Sequence, residues 1–152
     1  MSLHFTPLTE ENSQLGFQIH SNSQFKPWSR NVYDDCLTPP YFAYYLEFED
    51  QFLGYFIGMK VVDEATLIDI AVDKKNRGQG AGRKLLEHFI ESCRRDNIQK
   101  VWLEVRESNF AAIRLYESVG FNIVETRRDY YPAKVGTEDA YIMCLELRFY
   151  QP

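Results

Sequence analysis

Three groups of residues have types and spacings that could do chemistry. The first is the run Asp73-Lys74-Lys75-Asn76-Arg77-Gly78-Gln79-Gly80-Ala81-Gly82-Arg83-Lys84. Glycines at alternate positions let backbone N–H groups turn toward one point with no side chain in the way. A helix starting beside them would add partial positive charge to that point. Lys74, Lys75, Arg77, Arg83 and Lys84 surround it, with no acid among residues 74–84. A phosphate-bearing cofactor is the natural occupant. The second is Glu104, in an alternating segment that places Val101, Leu103 and Val105 on one face and Trp102 and Glu104 on the other. A carboxylate there could take a proton, or be a surface glutamate of an edge strand. The third is the pair Asn109 and Tyr116, seven residues apart and so two turns along one helix face. A phenol with a pKa of about 10 is protonated at neutral pH and can donate to a leaving group. A helical tyrosine can equally be plain packing.

Spacing excludes two common phosphate loops. A dinucleotide fingerprint begun at Gly78 needs a third glycine where Arg83 stands, and one begun at Gly80 needs it where Leu85 stands. A Walker loop needs Gly-Lys-Ser/Thr, whereas Gly82 is followed by Arg83-Lys84. What stands is Arg77-x-x-Gly80-x-Gly82, which taken alone is also compatible with a structural turn.

The elements that must position these residues follow from periodicity. Residues 9–36 read as one or two short helices, interrupted at Pro27-Trp28 because proline cannot continue a helix. Tyr41–Phe48 and Gln51–Val62 read as strands of a hairpin turning at Glu49-Asp50. Leu67–Val72 reads as a buried strand leading into the glycine loop. Ala81 to Arg95 reads as a helix with Leu85, Leu86, Phe89, Ile90 and Cys93 in one stripe, ended at Asp96-Asn97. Lys100–Val105 is a strand, and Asn109 a good N-cap for a helix through Val119 closed by Gly120. Phe121–Glu125 and Ala140–Phe149 complete the set. This order predicts a mixed α/β sheet covered by helices.

At 152 residues the chain suits one domain, and its net charge of −5 does not favour nucleic acid as the main partner. The charge is uneven: residues 1–59 have two basic and seven acidic side chains, while residues 60–100 have nine and seven. Cys36, Cys93 and Cys144 are odd in number and lack metal-ligand spacing, and His4, His20 and His88 form no cluster, so no metal is expected. Free thiols, a start without a basic and apolar leader pattern, and no apolar run long enough to span a bilayer predict a cytoplasmic location and no membrane partner.

Arg77-x-x-Gly80-x-Gly82 between a strand and an amphipathic helix resembles the acetyl-coenzyme A loop of the GNAT family of N-acetyltransferases. Trp102-Leu103-Glu104-Val105-Arg106, Asn109-Phe110-Ala111-Ala112-Ile113, Leu115-Tyr116-Glu117-Ser118-Val119-Gly120-Phe121 and Arg128-Asp129-Tyr130-Tyr131-Pro132 extend the likeness. Pro27-Trp28-Ser29 and Asp63-Glu64-Ala65-Thr66-Leu67 do so as well. Together these segments are similar to the branch of the family that acetylates the N-terminal alanine of the eighteenth small-subunit ribosomal protein.

The resemblance implies a single acetyltransferase domain over residues 1–152, with a mostly antiparallel sheet of about seven strands flanked by helices. It implies acetyl-coenzyme A as co-substrate and a cationic N-terminal peptide of a ribosomal protein as acceptor. The backbone of Ile70, Ala71 and Val72 would hold the pantetheine arm, with the Val72 amide as oxyanion donor. Arg77, Gly78, Gln79, Gly80, Ala81, Gly82 and Arg83 would hold the pyrophosphate, and Asn109 would contact the cofactor while capping its helix. Glu104 becomes the proton acceptor and Tyr116 the proton donor. Trp28, Tyr130 and Tyr131 are candidates for the acceptor wall. Ala81 and Gly78 depart mildly from the pattern, being smaller than expected. Two other readings stay open: the same fold acting on a lysine side chain or a small amine, and a coenzyme A-binding module without catalysis. Glu104 and Tyr116 weigh against the last, since a binder needs neither.

Overall fold

The computed structural model describes residues 3–152. Seven strands, β1 (Leu3–Pro7), β2 (Tyr41–Phe48), β3 (Gln51–Val61), β4 (Glu64–Val72), β5 (Lys100–Arg106), β6 (Asn122–Pro132) and β7 (Thr137–Glu146), form one sheet in the order β1-β2-β3-β4-β5-β7-β6. All neighbours are antiparallel except β4 and β5. That parallel pair follows from the crossover through helix α3 (Ala81–Arg95), since a parallel connection needs an intervening element. Helices α1 (Gln14–Ser23), α2 (Arg30–Asp35) and α4 (Phe110–Ser118) complete the set.

Local chemistry explains these elements. The stripe of α3 is fully buried at Leu85, Leu86, Phe89, Ile90 and Cys93, and Val101, Leu103 and Val105 of β5 meet it in one core. A second core, with Ile19, Tyr33, Ala43, Tyr55 and Ile57, lies under α1 and α2. The β2–β3 turn has Glu49 and Asp50 at φ 51° and 65°, the paired left-handed values of a tight hairpin. Asn109 caps α4, its side chain accepting the Ala112 amide at 3.3 Å.

Several boundaries differ from those the sequence predicts. β1 precedes the helices and pairs with β2, although nothing in its five residues marks a strand. β4 starts at Glu64, β6 runs on to Pro132, and Leu147–Phe149 forms a 3-10 turn instead of continuing β7. In each case tertiary pairing extends or truncates what composition suggests.

Two irregularities open the sheet. Pairing of β4 with β5 ends at Leu67 and Leu103, although β4 continues to Val72 and β5 to Arg106. At the same point the β3–β4 register slips, so that Gly58 faces Leu67 and Ile57 faces Asp69. The extra residue, Ile68, is a β-bulge, and a bulge re-aims the side chains beyond it. Ala65 and Leu67 face the α3 core before it, as do Ile70 and Val72 after it, whereas Ala71 faces the other core. A wedge results between the C-terminal ends of β4 and β5, the position where open α/β sheets hold ligands. Among the described residues no helix is long and apolar enough to cross a membrane.

Candidate active site

The wedge holds two hollows that share Ser23, Gln24, Ile70, Asn109 and Tyr116. The loop-side hollow, about 460 Å³, is bounded by the end of β4, the glycine loop and α4. The backbone aims into it. Asp73 N–H donates to Leu53 O on β3 at 2.8 Å, so the preceding Val72 N–H points away from β3 and into the wedge. Gly80 caps α3 at φ 85° with no side chain bonding the helix N-terminus, which leaves the first amides of α3 free for a ligand. A Cβ at Gly78 or Gly80 would meet no atom within 4 Å, so it is the positive φ that selects glycine there. The buried Asn76 Nδ2 has no partner among the described residues, and Asn76 lines the same hollow. Free amides, an orphaned donor and the Arg77 guanidinium fit an anionic, extended ligand.

The strand-side hollow, about 320 Å³, lies between the ends of β4 and β5 and the segment after α1. Glu104 lines it with a side chain 40% exposed, and Arg127 Nη1 lies 3.9 Å from its carboxylate. Tyr131 stands beside it, its phenol pushed up to about 12 by burial first and then by the Glu104 charge. The Arg106 guanidinium covers the Tyr131 ring at 4.4 Å and is held by Pro132 O at 2.9 Å and Glu138 at 3.3 Å. Tyr116 is buried at the junction of the hollows. Burial, and then the negative charge of Asp69, holds its phenol well above the ordinary value. It therefore stays protonated at neutral pH.

Of the residues singled out in the sequence, Ile70, Ala71, Val72, Arg77, Gly78, Gly80, Ala81, Gly82, Asn109 and Tyr116 come together on the loop side. Glu104, Trp28 and Tyr131 join Tyr116 on the strand side. Three others stand elsewhere. Gln79 sits on the loop but outside the lining of either hollow. Arg83 turns to the Ser118 hydroxyl and lines an outer groove with Glu87 and Tyr150. Tyr130 is 46% exposed and packs against Arg127 and Tyr131 outside the hollow, where the β6–β7 register breaks between Arg127 and Tyr131 and Asp129 turns to φ 53°. Arg77 reaches back to Val72 O at 3.3 Å and Ser23 Oγ at 3.4 Å, joining loop to helix α1. The sequence gives no signal for His20, Gln24, Phe25 and Asp69, which also line the wedge. A larger hollow of about 670 Å³ lies at the other end of β5, open between exposed side chains such as Arg94 and Arg148. It has no part of this constellation.

The seven-strand order, the wedge and the free helix N-terminus define an acetyltransferase fold, and residues 8–121 match the acetyltransferase (GNAT) family; the chain belongs to that family. The chain is an acetyltransferase with acetyl-coenzyme A as acetyl donor. It is 42% identical over 131 residues to the [ribosomal protein bS18]-alanine N-acetyltransferase of Escherichia coli (strain K12), covering 86% of this chain and 88% of that one. With the enzyme of the same name from Salmonella typhimurium it shares 43% over 140 residues, 92% of this chain and 95% of the other. The crystal structure of the ribosomal-protein-S18-alanine N-acetyltransferase from Escherichia coli matches it with a TM-score of 0.92 at 38% identity, over 96% of this chain and 94% of that chain.

Proposed function

We propose that this protein transfers the acetyl group of acetyl-coenzyme A to the α-amino group of a protein N-terminus, with the N-terminal alanine of ribosomal protein bS18 as acceptor. The observation that carries this reading is identity above 40% across nearly the whole chain to enzymes named for that reaction. The wedge supports it by offering one continuous cleft with separate ends for cofactor and acceptor. The location that accords with this substrate is the cytoplasm.

The loop-side hollow takes the cofactor. Arg77, the backbone of Gly78, Gly80 and Gly82, and the N-terminus of α3 hold the pyrophosphate, with Gly78 and Gly80 keeping side chains out of its way. The free edge of β4 at Ile70, Ala71 and Val72 runs along the pantetheine arm, and Asn109 flanks it. Bound acetyl-coenzyme A supplies a thioester carbonyl that an amine can attack.

The strand-side hollow takes the peptide. Its α-ammonium must lose a proton before attack, and a pKa of about 8 makes a carboxylate an adequate acceptor. Glu104 receives that proton, through a water in this open part of the cleft. The amine nitrogen then bonds to the carbonyl carbon, and the Val72 amide faces the developing oxyanion. As the carbon–sulfur bond breaks, the nitrogen gives up its second proton to water and the thiolate takes the Tyr116 proton, which solvent restores. Trp28 and Tyr131 wall the acceptor, and Glu104 is the exposed carboxylate that faces its amine.

Acceptor profiling tests the reading. A peptide beginning Ala-Arg-Tyr-Phe is expected to gain one acetyl group from acetyl-coenzyme A, and the same peptide blocked at its N-terminus none. Acetylation of a lysine in the blocked peptide would overturn the choice of acceptor while leaving the acetyltransferase intact.

A further inference from the structure

Two enclosed polar groups of the wedge, His20 and Asp69, have no part in the reaction outlined above. Asp69, turned by the bulge away from the α3 core, has a side chain 5% exposed. Its Oδ2 accepts from the Tyr55 hydroxyl at 2.6 Å and contacts His20 Nδ1 at 2.8 Å, while Gln24 Nε2 approaches Oδ1 at 3.4 Å. The His20 side chain is 2% exposed, and its other ring nitrogen, Nε2, lies 3.0 Å from the backbone nitrogen of Trp28. A backbone amide only donates, so Nε2 must be the bare, accepting nitrogen. The ring proton therefore sits on Nδ1, pointing at the Asp69 carboxylate. A buried imidazole bonded at both nitrogens has one tautomer and one orientation. The same ring stacks on the Trp28 indole, centroids 4.7 Å apart at 30°.

These contacts place one side chain between the floor of the wedge and the segment that walls it. Residues 24–29 join α1 to α2 without regular structure, and Pro27 has no amide to give, so Trp28 N–H is the donor that ties the segment's centre to the body. Phe25, Lys26 and Trp28 of this segment line the strand-side hollow and not the loop-side one, while Gln24 at its start lines both; His20 and Asp69 line the strand side alone.

We propose that His20, fixed in its Nδ1-protonated tautomer by Asp69, is a positioning residue that sets residues 25–29 and thereby the affinity for the peptide acceptor, leaving acetyl-coenzyme A binding alone. This rests on the reading that the strand-side hollow takes the acceptor.

The test pairs two substitutions with a measurement on the unsubstituted protein. His20→Gln can offer an oxygen near the Nε2 position to Trp28 N–H. His20→Asn keeps a donor near Asp69 but leaves the Trp28 amide unpaired. His20→Asn is expected to raise the KM for the Ala-Arg-Tyr-Phe peptide about tenfold, the scale of one lost buried hydrogen bond, with the KM for acetyl-coenzyme A within about twofold. His20→Gln is expected to recover most of that loss. Hydrogen exchange at the Trp28 amide should be slow in the natural protein and in His20→Gln and fast in His20→Asn. Nitrogen NMR of the natural protein should show His20 protonated at Nδ1 alone. A proton on Nε2, equal rises in both KM values, or an unchanged peptide KM in His20→Asn would overturn the proposal. Should the natural protein leave the peptide unmodified, the proposed acceptor fails. The tautomer and Trp28 exchange then still decide whether His20 positions the segment. Should His20→Asn not fold, the tautomer and the peptide KM of His20→Gln decide it.

Discussion

The two ends of the wedge are built from different material. The cofactor end takes its ligand groups mostly from backbone within residues 70–83, the free edge of β4, glycines at positive φ and the uncapped start of α3, and is closed by Ser23, Gln24 and the face of α4. The acceptor end is mostly side chains, drawn from α1, the segment after it, β4, β5, α4 and β6. A backbone-built site depends on what is left out, so substitutions that add atoms do the damage. A site built from side chains depends on what is present, so deletions do. Tyr116 and Asn109 border both ends, which makes the junction the place where either failure would stop turnover.

Substitutions of the two proton-moving groups, Tyr116 at that junction and Glu104 beside it, should have the largest effect. Glu104→Gln removes the proton acceptor and keeps the shape, and Tyr116→Phe removes the proton donor. Each is expected to lower kcat about 100-fold or more, the range of general acid–base contributions, with coenzyme A affinity by calorimetry unchanged. Turnover unaltered in both would show that neither group moves the proton and would dissolve the division of roles.

The cofactor end is tested by adding atoms. Gly80→Asp places a side chain on a left-handed residue and a negative charge beside the free amides of α3. The KM for acetyl-coenzyme A should rise about tenfold or more, an effect of over 1.4 kcal/mol. Gly82→Ala is the contrast. Its Cβ would meet only Leu115 and Val72, at 3.6 and 3.8 Å, in ordinary van der Waals contact, so steady-state constants should barely move. A loss at position 82 as large as at 80 would mean that loop flexibility, not amide access, is what the glycines supply.

The acceptor end is tested by deletion. Trp28→Ala and Tyr131→Ala should each raise the peptide KM several-fold without altering that for acetyl-coenzyme A, on the order of one lost aromatic contact. Tyr130→Ala should do far less, because its ring lies outside the hollow against Arg127. An equal effect at 130 would indicate that the peptide runs along β6 instead of into the wedge.

This difference in material also explains what the sequence made legible. The loop, α3 with its stripe, β5 and the Asn109 cap are local patterns, readable because every residue needed lies within a few turns of the next. The hairpin at Glu49-Asp50 is local too. Asp69 is not: it sits in an apolar strand, and its partners Tyr55 and His20 are 14 and 49 residues away. Nothing in Leu67-Ile68-Asp69 announces the bulge that turns it. β1 shares this difficulty, since it is a strand only by virtue of pairing with β2. Tyr130 and Tyr131 looked equivalent because nothing in Arg128-Asp129-Tyr130-Tyr131 announces the break in β6 register that leaves one ring outside the hollow and the other in its lining.

The smallest effect concerns a residue remote from both ends and so serves as the control for the division. His88 on α3 stacks against Phe5 of β1, centroids 3.9 Å apart, and meets Tyr44 of β2 edge-on at 5.2 Å. Burial, and then the charge of Arg95, lowers its pKa below the ordinary imidazole value. In the unfolded chain the same group titrates at about 6.5, so between the two values the unfolded state binds more proton and stability rises with pH. The contribution is complete above about 6.5 and is lost as pH falls through the folded value. His88→Phe keeps a flat ring and removes the titration. Between pH 7.5 and 5.5 the natural protein should therefore lose more Tm than the variant, by about 2 °C, while both KM values at pH 7.5 stay the same. An equal Tm slope would remove His88 from the acid response. A shift in either KM would mean that the α3–β1 contact reaches one end of the wedge, and that the two ends are less independent than their construction implies.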